Sequence, residues 1–360
     1  MRIAILGHTN APWTPYYARS FKQKGHVVKV GSFASDPIEG VDCEWLGRSN
    51  SMVDDNPITY LVGVRRARRM LERFHPDVVF APYLSSNGLV AALSWKGPLV
   101  LCAVGGDILQ QGEDSNVGAW IQRQVVRFVS RRAAAIQAVS EELSEVMVAR
   151  GVSAERISCF PVGVDVEMFR RSPPEDPSAR EKTLICTRKH DHVYENHVVL
   201  EALGILRDAG RDVRAVLLGH GPLLEARKEQ AQRLRLGNRV DFLGNVPHER
   251  LAGHLSQARV YVSASSSDGT SASLMEAMAV GCFPVVSRIR ANEAWIEHGR
   301  NGLLFELGDA RDLARQVERA LGDSALVDQA ATLNRERVKA DADMQTNMDR
   351  LEQMLIDVTR

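Results

Sequence analysis

Short apolar runs separated by longer amphipathic stretches constrain this chain more than any other feature. IAILG, HVVKV, DVVFA, LVLCAV and AIQAVS follow one another in the first half, and TLICT, RAVLLG, VDFLG, RVYVSA and PVVS in the second. Runs that are apolar along most of their length belong in sheets covered on both faces, and a long crossover between consecutive strands makes those strands parallel. The pattern predicts an α/β chain of repeated βα units with parallel sheets. At 360 residues it is long enough for two domains, each with its own core. Between the two series lies CFPVGVDVEMFRRSPPEDPSAREK, whose Pro and charge gather around residues 172 to 182 and read as a linker. The expected layout is a Rossmann-like domain over 1–164, a linker over 165–182 and a second Rossmann-like domain over 183–340. In the terminal segment 341–360, Met344, Met348, Leu351, Leu355 and Val358 share one helical face, which should pack back on the first domain.

Acidic and basic residues balance at 45 each, so overall charge provides no argument for nucleic-acid binding. The five cysteines, Cys43, Cys102, Cys159, Cys186 and Cys282, are scattered without a CxxC pair and read as reduced residues of a cytoplasmic protein. MRIAILGHTN forms a strand and a turn rather than a signal peptide, and nowhere do eighteen apolar residues run together. Neither secretion nor a membrane span is expected.

The segment SSSDGTSASLMEAMAVGCFPVVS, residues 265 to 287, concentrates the chemistry. Val260, Tyr261 and Val262 read as a buried strand, Gly269 with Thr270 and Ser271 as a turn and helix cap, and Leu274 to Val280 as helix. Amides around Ser271, Ala272 and Ser273 would lack partners inside that helix, and its dipole favours negative charge there, so a diphosphate fits. Glu276 is an acceptor only when ionised and suits the paired hydroxyls of a ribose. Asp268 stands at the other end of the turn. A capped helix with a solvated Glu276 is the plainer alternative.

Several motifs, in their order along the chain, carry a resemblance. AVSEELSEVMVARGVSAERI is followed by FPVGVDVEMF, LLGHGPLLEA, VDFLGNVPHERL, DGTSASLMEAMAVGCFPVVS and RNGLLF. The ordered series spans most of the chain and resembles the retaining nucleotide-sugar glycosyltransferases of family 4. That resemblance implies the GT-B fold, two Rossmann-like domains whose parallel sheets face an interdomain cleft. It implies that Asp268 contacts the transferred sugar, that Glu276 holds the ribose, and that a basic pair near the first strand of the second domain holds the pyrophosphate. Arg188 in ICTRKHDHVYENH matches the first of that pair. The Lys usual in the family several residues later is out of register, and Lys189 takes its place in our assignment, with His190 and His192 as alternatives that read as solvated loop histidines. The loops carrying Gly219 and Val246 would flank the base, with Gly269 and Thr270 beside the donor and Gly7 near its phosphates. No metal site is expected and no cofactor beyond the nucleotide-sugar itself. Asp341-Ala342-Asp343 reads as capping charge.

The departures are as specific as the matches. Asp268 replaces the usual Glu, DGTS replaces a Gly-Phe-Gly turn, and LCAVGGDIL places Val104 where the family carries a His, leaving Asp107 on the acceptor side. GHTNAPWTPY lacks the GxGxxG spacing of a dinucleotide fold. His8, Asn10 and Trp13 in that turn are assigned to the acceptor side, with a packing role for Trp13 as the alternative.

The resemblance implies a retaining, metal-independent transfer of a hexosyl or N-acetylhexosaminyl group. The donor is a UDP- or GDP-sugar and the acceptor a saccharide, a lipid-linked molecule or a small molecule, in cell-surface polysaccharide or glycoconjugate synthesis. In TYLVGVRRARRMLERF, Leu61, Val64, Leu71 and Phe74 fall on one face and Arg65, Arg66, Arg68, Arg69 and Arg73 on the rest, and Arg123, Arg127 and Arg131 line a second helix. Such patches suit anionic lipid at the inner membrane face, or they simply solvate two packed helices. A nucleotide-sugar epimerase and a noncatalytic nucleotide-sugar-binding protein are the rival readings.

Overall fold

The computed structural model describes residues 1–11, 13–47, 57–106, 108–109, 117–170, 180 and 182–360. The chain divides into two units, Met1–Val162 with Thr346–Arg360, and Gly163–Gln345.

The first unit holds seven strands, β1 (Arg2–Leu6), β2 (Val27–Ser32), β3 (Asp42–Trp45), β4 (Val78–Pro82), β5 (Leu99–Ala103), β6 (Ala135–Ala138) and β7 (Ile157–Cys159). All pair in parallel, in the order β3-β2-β1-β4-β5-β6-β7. Central β4 and β5 are buried along their whole length, whereas β3, at the edge, reads exposed, half-buried, half-buried, exposed. The helices Trp13–Gln23, Pro57–Phe74, Asn87–Ser94, Val117–Arg132 and Glu141–Ala149 connect them. On Pro57–Phe74, Ala67, Met70, Leu71 and Phe74 are buried and Arg65, Arg66, Arg68, Arg69 and Arg73 are exposed. The side chain of Leu61 lies outside the described residues.

The helix Met344–Asp357 contributes Met348, Leu351 and Leu355 to this first core. Its charged side bonds to the turn before β2: Lys24 pairs with Asp349 and with Glu352 (2.8 Å), and His26 with Glu352 (2.7 Å).

The second unit carries β8 (Thr183–Cys186), β9 (Arg214–Leu218), β10 (Val240–Gly244), β11 (Val260–Ser263), β12 (Phe283–Ser287) and β13 (Leu303–Phe305), parallel and ordered β10-β9-β8-β11-β12-β13. Side chains alternate across this sheet with the two-residue period of a strand. Leu184, Cys186, Val260, Val262, Phe283, Val285, Leu303 and Phe305 enter one apolar cluster, and Ile185, Tyr261, Val286 and Leu304 enter the other. Both faces are therefore covered, as near-continuous apolar strands require.

Residues placed by sequence at the end of the first domain and in the linker belong partly to this second core. Val164 N donates to Ala342 O (2.8 Å), Met344 N donates to Val164 O (3.0 Å), and Phe169 is fully buried. The rest of the expected linker, 171–179 and 181, lies outside the described residues. Of the cysteines, Cys102, Cys186 and Cys282 are buried, Cys43 is half-buried and Cys159 is exposed, all as free thiols. No helix among the described residues is long and apolar enough to cross a membrane.

Candidate functional site

In the second sheet the chain runs outward from β8 through β9 to β10, then returns to place β11 on the other side of β8. Loops leaving the carboxyl ends of β8 and β11 diverge at such a reversal and open a crevice between them. Arg188 stands two residues beyond β8, and Asp268 and the cap Ser271 lie in the loop that follows β11.

The loop after β11 leads into the helix Ala272–Val280, in which every residue from Leu274 to Val280 is buried. Ser271 caps it, its Oγ accepting from Leu274 N (3.2 Å). Gly281 closes it in the left-handed region at φ 89°, a conformation glycine adopts without cost. The N–H groups of Ala272 and Ser273 sit in the first turn, where the helix has no carbonyl to offer them.

Arg188 is fastened to that end. Its Nη1 donates to Ser271 Oγ (3.1 Å) and Ser273 Oγ (3.4 Å), and its Nη2 to Asp268 Oδ2 (2.5 Å). The guanidinium lies 4.2 Å over the Tyr194 ring. Arg188 is only 8% exposed, and its Nε makes no hydrogen bond among the described residues. Burial works against its charge, but the Asp268 carboxylate outweighs this and its pKa is raised, so it stays a cation. Asp268 offsets that charge within the pair, and the N-terminal amides at the positive end of the helix dipole are what an anion meets beside it.

Sequence treated Glu276 as solvated in its plainer alternative. It is 6% exposed, and His248 Nε2 donates to its Oε1 (2.9 Å). Sequence reasoning missed His248. It opens the helix His248–Ser256 just after Pro247, and nothing in VPHERL marks a partner 28 residues away.

Two further loops, after β9 and β10, close round the β8 end. Gly219, at φ 99°, lies so near that a Cβ would fall 3.0 Å from Arg188 O, and at Gly221 one would fall 2.3 Å from His190 O. Gly219 N donates to Gly244 O (2.7 Å) and Leu223 N to His190 O (3.0 Å). Val246, beyond Gly244, is half-buried against the second unit's core. Gly269 is buried and Thr270 Oγ1 donates to its carbonyl (2.8 Å).

Lys189 is exposed beside Arg188, and His192 is exposed. His190, grouped with His192 as a solvated loop histidine, is instead 1% exposed and shielded by Phe242, ring centroids 5.8 Å apart. Burial first, and then the positive charges of Arg227, His220 and Lys228, hold its pKa at about 4. It is a neutral packing residue whose Nδ1 meets Asn196 Nδ2 at 3.3 Å.

The remaining candidates belong to the first unit. Gly7 follows β1, and a Cβ there would fall 2.8 Å from Thr14 Oγ1. His8, expected to project from the turn, is buried, with its ring 5.9 Å from that of Phe33. Burial lowers its pKa to about 4. The polar turn folds inward because β2 supplies it with partners: Thr9 N donates to Ser32 Oγ (3.0 Å). Asn10 is exposed, and Trp13 is half-buried against the core at the start of its helix. Val104 is half-buried against the same core. Asp107 lies outside the described residues. Structure thus gathers Arg188, Asp268, Ser271 and Ser273 by direct contact, and pairs Glu276 with His248.

Comparisons with known proteins fit both units. The model for glycosyltransferase family 4 matches residues 16–168, and the model for group 1 glycosyl transferases matches residues 170–337. A D-inositol 3-phosphate glycosyltransferase of Pseudarthrobacter chlorophenolicus is 27% identical over 321 residues, 83% of this chain and 72% of its own. The amylovoran biosynthesis glycosyltransferase AmsK of Erwinia amylovora is 29% identical over 175 residues, 47% of this chain and 42% of its own. Against three such biosynthetic relatives the chain spans 42 to 50% of their length, about half. Among solved structures, Anabaena HepE in complex with UDP-glucose superimposes with a TM-score of 0.81 at 19% identity, covering 99% of this chain and 100% of that one. The fold, two Rossmann-like α/β domains with parallel sheets, is the GT-B fold of such neighbours.

Proposed function

We propose, for a chain of the family 4 glycosyltransferase type, that it moves a sugar from a UDP- or GDP-sugar to a saccharide, lipid-linked or small-molecule acceptor, with retention and without a metal ion. The transferred group is a hexosyl or N-acetylhexosaminyl residue. The observation that supports this most is the buried Arg188 held against Ser271 and Ser273 at the start of the helix Ala272–Val280. A cation and unpaired amides converging on one point form a diphosphate cradle.

In this reading the bond from the anomeric carbon to the diphosphate oxygen breaks and its electron pair leaves with the nucleoside diphosphate. Arg188, Lys189 and the amides of Ala272 and Ser273 neutralise the developing charge, which is electrostatic catalysis by preorganised groups. The acceptor hydroxyl bonds to the anomeric carbon from the face just vacated and gives its proton to a phosphate oxygen. Asp268 orients sugar hydroxyls and Glu276 holds the ribose. HepE, crystallised with UDP-glucose, makes that sugar nucleotide the first donor to try. The role of AmsK in amylovoran biosynthesis makes polysaccharide intermediates the first acceptors.

Incubation with radiolabelled UDP- and GDP-sugars, with and without chelator, tests the proposal. Transfer to acceptor or water with the anomeric configuration kept, unaffected by chelator, supports it. An isomerised nucleotide sugar, or binding without turnover, overturns it.

A further inference from the structure

His248 lies in VDFLGNVPHERL, where the resemblance assigned its side chain no role, yet it makes the one hydrogen bond that the Glu276 carboxylate has among the described residues. Three elements meet at this imidazole. Its own helix begins at His248 with Pro247 before it, so the ring leaves the first helical position and leans toward the neighbouring helix Ala272–Val280. There Nε2 reaches Glu276 Oε1 at 2.9 Å. The segment 165–169 supplies a wall, with the buried Phe169 ring 5.2 Å from the imidazole at an interplanar angle of 59°. The outcome is asymmetric: Glu276 is almost fully covered, while the His248 side chain is 55% exposed.

A carboxylate so covered needs a partner to remain charged. It also stands in the same helix as the corner proposed to hold an anionic diphosphate, where a lone negative charge would oppose the donor. Taking that donor reading as its premise, we propose that His248 is a positioning residue of the donor site: it occupies one oxygen of Glu276, leaves the other for the ribose hydroxyls, and supplies the positive charge that lets this acid stand beside an anionic ligand.

The charged groups around the ring act in one direction. The hydrogen bond to Glu276 comes first in raising the His248 pKa, followed by the negative charges of Glu276, Glu249 and Asp165, with burial opposing. These carboxylates represent all three packed elements: Asp165 the 165–169 segment, Glu249 the ring's own helix and Glu276 its neighbour. His248 is thus a cation through a wider range of pH than an ordinary histidine. Donor affinity is highest while that charge is present, and it weakens as pH rises through the elevated His248 value.

Isothermal titration of the full chain with UDP-glucose and with GDP-glucose, at about pH 6 and about pH 8.5, tests this, because a diphosphodiester sugar nucleotide does not itself titrate in that range. The wild type should bind one of them about 3- to 10-fold more tightly at the lower pH. His248→Gln keeps a hydrogen-bond donor but no charge, so it should bind equally at both, near the wild-type value at high pH. His248→Phe should bind more weakly than His248→Gln at both. In a Glu276→Gln background, His248→Gln should produce no further change in pH dependence, a control that holds even where the single variant loses stability. A pH-independent wild type, a pH dependence that survives His248→Gln, or wild-type affinity in His248→Phe would overturn the inference while leaving the donor reading intact. A wild type that binds neither these two nor UDP-N-acetylglucosamine and GDP-mannose removes both.

Discussion

The carboxyl edges of the two sheets make an instructive pair. Both are parallel, both are covered on two faces, and both send loops from central strands. Yet the turn after β1 buries its polar groups, with His8 against Phe33 and Thr9 on Ser32, and among the described residues 7–11 leaves only Asn10 outward. After β8 and β11, Arg188, Asp268, Ser271 and Ser273 form one connected charged cluster, with Glu276 and His248 paired alongside. The first unit keeps its concentrated charge elsewhere, on the flanks of the helices Pro57–Phe74 and Val117–Arg132, where Arg65, Arg69, Arg127 and Arg131 are exposed. The same backbone plan therefore supports an edge whose turn packs inward and an edge that carries a connected charged cluster, and the difference lies in a few side chains at the ends of strands.

The contrast breaks most readily at Arg188. Arg188→Met removes the cation at the helix start and leaves Asp268 without it, and nucleoside diphosphate binding should fall about 100-fold, the upper range for a charge-assisted contact. Calorimetry reads this directly, and retained affinity would move the anion site away from this edge. Next in size is a split between the two acids. Glu276→Ala should weaken nucleoside diphosphate binding about 10-fold, whereas Asp268→Asn should leave that binding near normal and lower turnover, because one acid is assigned to ribose and the other to sugar. Equal effects on both quantities would dissolve the assignment.

Glycines sharpen the comparison on the side of packing. In the second unit, Gly221→Ala drives a Cβ to 2.3 Å from a backbone oxygen, whereas in the first unit Gly7→Ala meets the hydroxyl of Thr14, a side-chain group, at 2.8 Å. We expect Gly221→Ala to cost about 1–3 kcal/mol in urea unfolding, and Gly7→Ala to cost less. The smallest effect is common to both edges. His8 and His190 have folded pKa values of about 4 against an ordinary 6.5. The unfolded chain therefore takes up protons first as pH falls, and stability drops between these values. From neutral pH to about pH 6 each should cost about 0.7 kcal/mol. His8→Asn and His190→Asn should each flatten the dependence of unfolding free energy on pH over that interval.

Much of this was legible from residue order. The ten apolar runs lie on ten strands, and the pattern around Ser271 and Glu276 located a capped helix with its acid. Strands β3, β7 and β13 escaped notice because DCEW carries little apolar signal, and ISC and LLF are only three residues long. His8 and His190 look like polar loop residues, since the rings that cover them, Phe33 and Phe242, arrive from 25 and 52 residues later. His248 was invisible for the same reason: its meaning depends on a helix pair and on Phe169, contacts that local spacing does not encode.

The helix Met344–Asp357 carries a consequence for how this chain is made. Met348, Leu351 and Leu355 fill a core whose other members come almost entirely from Met1–Val162. During synthesis the front unit therefore waits with an uncovered apolar surface until all of Gly163–Gln345 and the helix behind it have been made. A chain cut short just before this helix would be injured first in the unit that was made first.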